Sequence, residues 1–300
     1  NPASAGAEAD FFAEVQVMKS LRHPNLVTLL GVCTKERPLL MVLEYLPGGS
    51  LDVWLPKNGP HAQPFQLLRI LHQTARGMTA LGAAGIIHRD LAARNILIDE
   101  LLRVKIGDFG LSRESSDGDD RIYYQVKTQR PLPLRWTAPE VVTKLSYSIR
   151  SDVYAYGVFS FEVYSFGLFP FDTIQNDQTF LKLLGATNIA GGTIHPSLAI
   201  DLPLLKLVDA PEVVTTLISA CLLRDSTARP SFAQIVNQTR PGGGTTGRPA
   251  GGMAGRPGAP TIVEPSVMVH TRTSVYLGFD DDGGEGNAAA VEGATETSEL

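Results

Sequence analysis

The spacing of apolar and polar positions changes several times along the chain, and each change marks an element. Over residues 8–22, Phe11, Val15, Met18 and Leu21 recur on one stripe, which predicts an amphipathic helix. Two apolar runs of strand length follow, 26–32 and 39–45, before Pro47-Gly48-Gly49 breaks the chain. From Ser50 to about Asn237 the pattern is mostly helical. Pro64 stands near the start of a helix predicted to run to Ala84, and Gly85 suits its C-terminal cap. Runs 96–98 and 103–106 predict a short hairpin. Residues 153–171 are apolar enough to mimic a membrane span, but Gly157, Glu162, Gly167 and Pro170 interrupt them. A helix buried in the core is predicted instead.

Beyond Arg240 the pattern is lost. Gly, Pro, Ala and Thr dominate, a composition that cannot bury enough apolar surface to fold. Residues 241–300 are therefore predicted as a disordered tail, acidic and without basic residues from Asp280 onward. Gly242-Gly243-Gly244-Thr245-Thr246-Gly247 fits G-x-G-x-x-G by letter. It neither follows a predicted strand nor opens a helix, so it reads as compositional coincidence.

Composition narrows the classes. Three hundred residues at 43% hydrophobic can bury one core, or two small lobes beside a tail. A net charge of -5 argues against nucleic acid as a partner. Cys33 and Cys221 are too few and too far apart for a disulfide framework, which fits a reducing compartment. No basic-then-apolar leader opens the chain. It starts on Asn1 rather than Met, and the expectation is a piece cut from a longer product.

Three motifs carry chemistry. His88-Arg89-Asp90-Leu91-Ala92-Ala93-Arg94-Asn95 is followed by Asp108-Phe109-Gly110 and then by Ala138-Pro139-Glu140. In this order they resemble the catalytic loop, metal-binding turn and activation-segment end of a protein tyrosine kinase. The resemblance runs from about residue 8 to residue 237. It is weakest over 175–215, and Leu222 stands where the family usually has Trp. It implies an α+β, two-lobed protein-kinase-like fold with a mainly helical C-lobe. Residues 1–45 would form a partial N-lobe, 46–240 the C-lobe and 241–300 the tail.

The resemblance also assigns roles. Phosphoryl transfer asks the protein mainly to position groups and neutralise charge. Asp90 would orient the attacking hydroxyl and accept its proton, Arg94 would supply a cation, and Asn95 and Asp108 would hold magnesium. Ala92, where serine/threonine kinases place Lys, and Pro133 both match the tyrosine-specific form. Leu43, Glu44, Leu46 and Leu97 would line the adenine side of an ATP site. Glu14, on the apolar face of the first helix, would pair with a lysine of a strand that these 300 residues do not contain, so the N-lobe is expected to be incomplete. His88 and Phe109 would join Met18 and Leu29 in an internal stack. Glu140 and Arg229 would form a buried ion pair, and Asp152 would bind the catalytic-loop backbone.

Tyr123 and Tyr124 read either as phosphorylation sites, their phosphates paired with Arg89, or as loop residues packed on the lobe. In the tail, Tyr276 matches a phosphotyrosine docking site and Ser298-Glu299-Leu300 a PDZ-binding C-terminus; an idle solvated tail is the alternative. The expected function is ATP- and magnesium-dependent phosphorylation of tyrosine in proteins, with little activity from these residues alone. The expected location is the cytosol or the cytoplasmic side of a receptor. A non-catalytic scaffold is the competing reading. A dual-specificity or serine/threonine kinase is a third, against which Ala92 and Pro133 argue.

Overall fold

The computed structural model describes residues 2–114, 133–144, 146–172, 174, 176–184, 210–241 and 267–270. The chain starts with helix α1 (Pro2–Ser20). It extends upstream of the amphipathic stripe because Ala3, Ala5, Ala7 and Ala9 are strong helix formers and Pro2 sits where its missing N–H costs nothing. Val15, Met18 and Leu21 of the stripe are buried, with Glu14 among them.

Strands β1 (Leu29–Cys33) and β2 (Leu40–Glu44) pair antiparallel from Leu29↔Leu43 to Cys33↔Leu40. β1 begins later than its apolar run because Leu26 and Val27 have another partner. Leu26 bridges Ile106 in parallel, and the Val27 N–H donates to the Ile106 carbonyl at 2.8 Å. Asn25 of the His23-Pro24-Asn25 turn is buried. Its Nδ2 donates to Gln73 Oε1 (3.3 Å) and the Val104 carbonyl (2.9 Å), which fastens the small sheet to the helical part, while its Oδ1 is buried without a hydrogen bond among the described residues.

The helical part contains α2 (Leu51–Asn58), α3 (Pro64–Ala83), α4 (Pro139–Lys144), α5 (Ile149–Tyr164), α6 (Asp177–Leu184), α7 (Glu212–Cys221) and α8 (Phe232–Gln238). α3 ends at its expected cap, with Gly85 in the left-handed region at φ +70°. Every residue of α5 from Ser151 to Tyr164 is buried, as its near-continuous apolar run predicts. A Ser148/Ser151 capping box starts the helix, and Gly167 at φ +91° follows its end. α5 packs on α7, and α3 on α8. Gly157 permits the first contact, since a Cβ there would lie 2.8 Å from Cβ of Cys221. No helix among the described residues is long and apolar enough to cross a membrane.

Five short strands complete the fold among the described residues. β3 (Ile86–Ile87) pairs with β6 (Arg113–Glu114), and β4 (Ile96–Ile98) with β5 (Val104–Ile106) in the expected hairpin. β7 (Val267–His270) pairs antiparallel with the second edge of β2, from Met41↔His270 to Glu44↔Val267. Within the stretch 241–300 expected as a tail, these four residues supply backbone partners to the second edge of β2. Tyr123, Tyr124, Tyr276 and Ser298-Glu299-Leu300 lie outside the described residues, as does most of the 175–215 stretch.

Candidate active site

The loop from His88 to Asn95 is built on the N-terminal turn of α5. Asp152, 2% exposed, accepts the His88 N–H on Oδ2 (2.8 Å) and the Arg89 N–H on Oδ1 (2.9 Å). Burial pushes its carboxyl above the ordinary range, while the His88 and Arg89 contacts pull it back. Arg89 sits at φ +72°, a conformation unfavourable for a side chain with a Cβ, and the two bonds to Asp152 hold it there. The Arg89 guanidinium lies 4.2 Å from the ring centroid of Tyr147.

From that anchor the chain turns outward. The Asp90 N–H donates to His88 Nδ1 (3.3 Å), so the other ring nitrogen, Nε2, carries the proton and donates to the Gly107 carbonyl (3.2 Å). The Asp90 carboxylate is gripped on both oxygens. Arg94 Nη2 donates to Oδ1, and Asn95 Nδ2 to Oδ2 at 3.0 Å and to the Asp90 carbonyl at 2.6 Å. A 3-10 turn, Ala93–Asn95, makes these contacts possible by folding residues four and five positions on back over Asp90.

Hairpin β4–β5 then returns the chain to the same point. The Gly107 N–H donates to the Asn95 carbonyl at 2.9 Å, which sets Asp108 beside Asn95. Asp108 is exposed at φ +53°, with its Oδ1 accepting the Gly110 N–H at 3.2 Å. Phe109 is fully buried edge-on against His88, ring centroids 5.6 Å apart. Both belong, with Met18 and Leu29, to the buried interior.

The third motif closes the site. Glu140 and Arg229 form a two-pronged pair, 2.6 Å and 2.8 Å. The Arg229 side chain is fully buried and also donates to the Leu223 (2.7 Å) and Arg150 (2.8 Å) carbonyls. The 3-10 turn Leu134–Trp136, which follows Pro133, is brought against the catalytic loop. Arg94 lies 4.6 Å from the Trp136 ring centroid, Phe169 meets Trp136 edge-on at 5.7 Å, and Trp136 Nε1 donates to Glu162 Oε2 at 2.8 Å.

The residues assigned to the adenine side are less uniform. Leu46 is buried, and Leu43 and Leu97 half-buried. The Glu44 carboxylate is engaged elsewhere: Oε1 accepts the Thr28 N–H (2.6 Å) and pairs with Lys105 Nζ (2.7 Å), locking β2 to β5. Sequence reasoning missed Glu162, Tyr147 and Trp136 as parts of the site. Glu162 left a signal, a carboxylate in a largely apolar stretch of helix, which needs a partner to be tolerated there. Tyr147 and Trp136 left none.

Among the described residues no three His, Cys, Asp or Glu side chains cluster as a metal cage. Asn95 and Asp108 still suit magnesium. Both offer hard oxygens, Asp108 faces solvent, and this ion keeps waters and substrate phosphates in its shell.

The comparisons with known proteins agree with this geometry. The family model for protein tyrosine and serine/threonine kinases matches residues 1–239. The chain is 35% identical over 228 residues to the tyrosine-protein kinase transforming protein Fps of avian sarcoma virus (strain PRCII), covering 76% of this chain and 39% of that protein. It is 37% identical over 235 residues to the human cytoplasmic tyrosine-protein kinase BMX (78% and 32%), and 37% over 230 residues to rat ephrin type-A receptor 5 (76% and 21%). The chain thus spans well under half the length of these relatives. With its loop, turn and ion pair assembled at one place and its family match running to residue 239, the chain belongs to the protein tyrosine and serine/threonine kinase family, on the tyrosine-kinase side.

Proposed function

We propose that this chain transfers the γ-phosphoryl group of ATP to tyrosine hydroxyls of protein substrates. The observation that carries the reading is the Asp90 carboxylate, held by Arg94 on one oxygen and Asn95 on the other, in a loop fastened to a buried carboxylate. Asp90 orients the attacking hydroxyl and accepts its proton, and Arg94 sets a cation where negative charge develops. Asn95 and Asp108 hold magnesium, which when bound neutralises charge on the phosphates. Leu43, Glu44, Leu46 and Leu97 line the adenine side, and Glu14 serves the phosphate-gripping cation. Arg89 receives the phosphate of Tyr123 or Tyr124. Ala92 and Pro133 favour tyrosine as acceptor. The names of the Fps and BMX relatives support the same acceptor.

The sequence contains no glycine-rich strand pair in front of the catalytic loop. Loss of a single placed donor commonly costs about 10²–10³ in rate, so these 300 residues alone transfer phosphate slowly. The runner-up is a scaffold that binds partners without catalysis, a reading that the departures from the family pattern over 175–215 and the long tail favour. Tail contacts at Tyr276 and Ser298-Glu299-Leu300 would serve either role. Both belong on the cytoplasmic side, where ATP and reduced thiols are found.

The test is magnesium-dependent transfer of labelled phosphate to a Glu/Tyr copolymer, with phosphoamino-acid analysis. Slow labelling confined to tyrosine and lost in Asp90→Asn supports the kinase. Phosphoserine, or labelling indifferent to Asp90→Asn, refutes it; no transfer at any chain concentration favours the scaffold.

A further inference from the structure

Glu162 has no part in the scheme above, yet it lies 6% exposed in the last turn of α5, in a helix with a buried apolar surround. A carboxylate there is costly unless bonds satisfy it. Two bonds converge on one oxygen. Oε2 accepts the Ala93 N–H at 3.0 Å and Trp136 Nε1–H at 2.8 Å. Ala93 lies in the loop between Asp90 and Asn95, and Trp136 lies in the turn after Pro133. Arg94 closes the ring of contacts, stacked on Trp136 at 4.6 Å while paired with Asp90.

We propose that Glu162 is a positioning residue that couples the substrate-side turn at Trp136 to the catalytic loop, aiming Arg94 through the two bonds it accepts. The identity of what is aimed rests on the kinase reading; the coupling itself rests on these contacts. Charge on Glu162 strengthens both bonds. The groups that bear on that charge come from three elements. Arg94 of the loop and the Trp136 N–H favour the ionised form, as does the Ala93 N–H, while burial and Asp52 of α2 oppose it and raise the carboxyl to about 7. Below neutral pH the linkage therefore loosens, and Arg94 loses the indole that fixes its orientation.

The chain has two tryptophans, so Trp54→Phe leaves Trp136 as the sole indole reporter, readable without ATP or transfer. Its emission is expected to titrate near neutrality, and Glu162→Gln is expected to abolish that titration. In peptide phosphorylation, Glu162→Gln and Trp136→Phe should each lower kcat/KM for peptide about tenfold, the scale of one charge-assisted bond, with KM for ATP unchanged. The double variant should be no worse than either single one. An emission titration that persists in Glu162→Gln overturns the proposal, and so do losses that add in the double variant. Should Glu162→Gln fail to fold, Trp136→Phe, which alters a half-buried ring, still gives the test: an acid limb of the peptide kcat/KM profile that survives unchanged overturns the coupling. If the titration behaves as expected but no phosphate is transferred, the coupling stands and the kinase reading falls.

Discussion

Replacing Glu140 by Ala leaves the Arg229 guanidinium buried without its counter-charge. The structure sets the size of the effect. Arg229 loses two charged bonds, to Glu140 Oε1 at 2.6 Å and Oε2 at 2.8 Å, but keeps its donations to the Leu223 and Arg150 carbonyls. Breaking one side of a buried pair costs about 3–5 kcal/mol. The surviving carbonyl bonds and the partly exposed Glu140 side chain, at 18%, place the change near the lower end, at about 3 kcal/mol. Arg229→Ala should cost more, about 5 kcal/mol, because it strands Glu140, removes a donor from three carbonyls and leaves a cavity beside Tyr154. For a domain of this size about 1 kcal/mol moves Tm by roughly 2–4 °C, so Glu140→Ala should melt about 6–12 °C below the parent by circular dichroism. Because Arg229 is screened from solvent, 0.5 M salt should not narrow the gap. A Glu140→Ala variant melting within about 2 °C of the parent would refute the reasoning, as would a gap that salt erases.

Asp152→Asn keeps one acceptor for two N–H groups, so Arg89 should lose its hold at positive φ; about 1–3 kcal/mol of stability and most phosphate transfer should go with it, measured by urea melts and copolymer labelling. Stability should also depend on pH through Glu162. A carboxyl raised to about 7 holds a proton in the folded chain that the unfolded chain has released. Between the ordinary carboxylate range and about 7 the folded chain thus binds more protons, and stability falls as pH rises. Urea melts at pH 5 and pH 7.5 should show this fall, and Glu162→Gln should flatten it; an equal fall in the variant would assign the slope to other groups.

What the sequence determined alone was whatever depends on neighbours within a few positions. The 3.6-residue period and the Gly85 cap set α3, and the Ser148 capping box set the start of α5. The three motifs pointed to His88, Asp90, Asn95, Asp108 and Glu140 through their resemblance to protein tyrosine kinases, which short contiguous runs of residues carry. The structure sets the His88–Asn95 loop beside the Asp108–Gly110 turn.

Tertiary structure decided where polar groups found distant partners. Leu26 and Val27 read as strand but pair with Ile106, which shortens β1. Glu44 bonds Lys105 and Thr28 rather than presenting a free carboxylate. Val267–His270, four residues in a Gly- and Pro-rich stretch, carry too short an apolar pattern to register until the open edge of β2 is there to pair with. Glu162 is the clearest case. Its position in an apolar helix was visible, but its partners lie 69 and 26 residues away. Only packing can choose such partners, because a buried charge accepts whichever donors the fold carries to it.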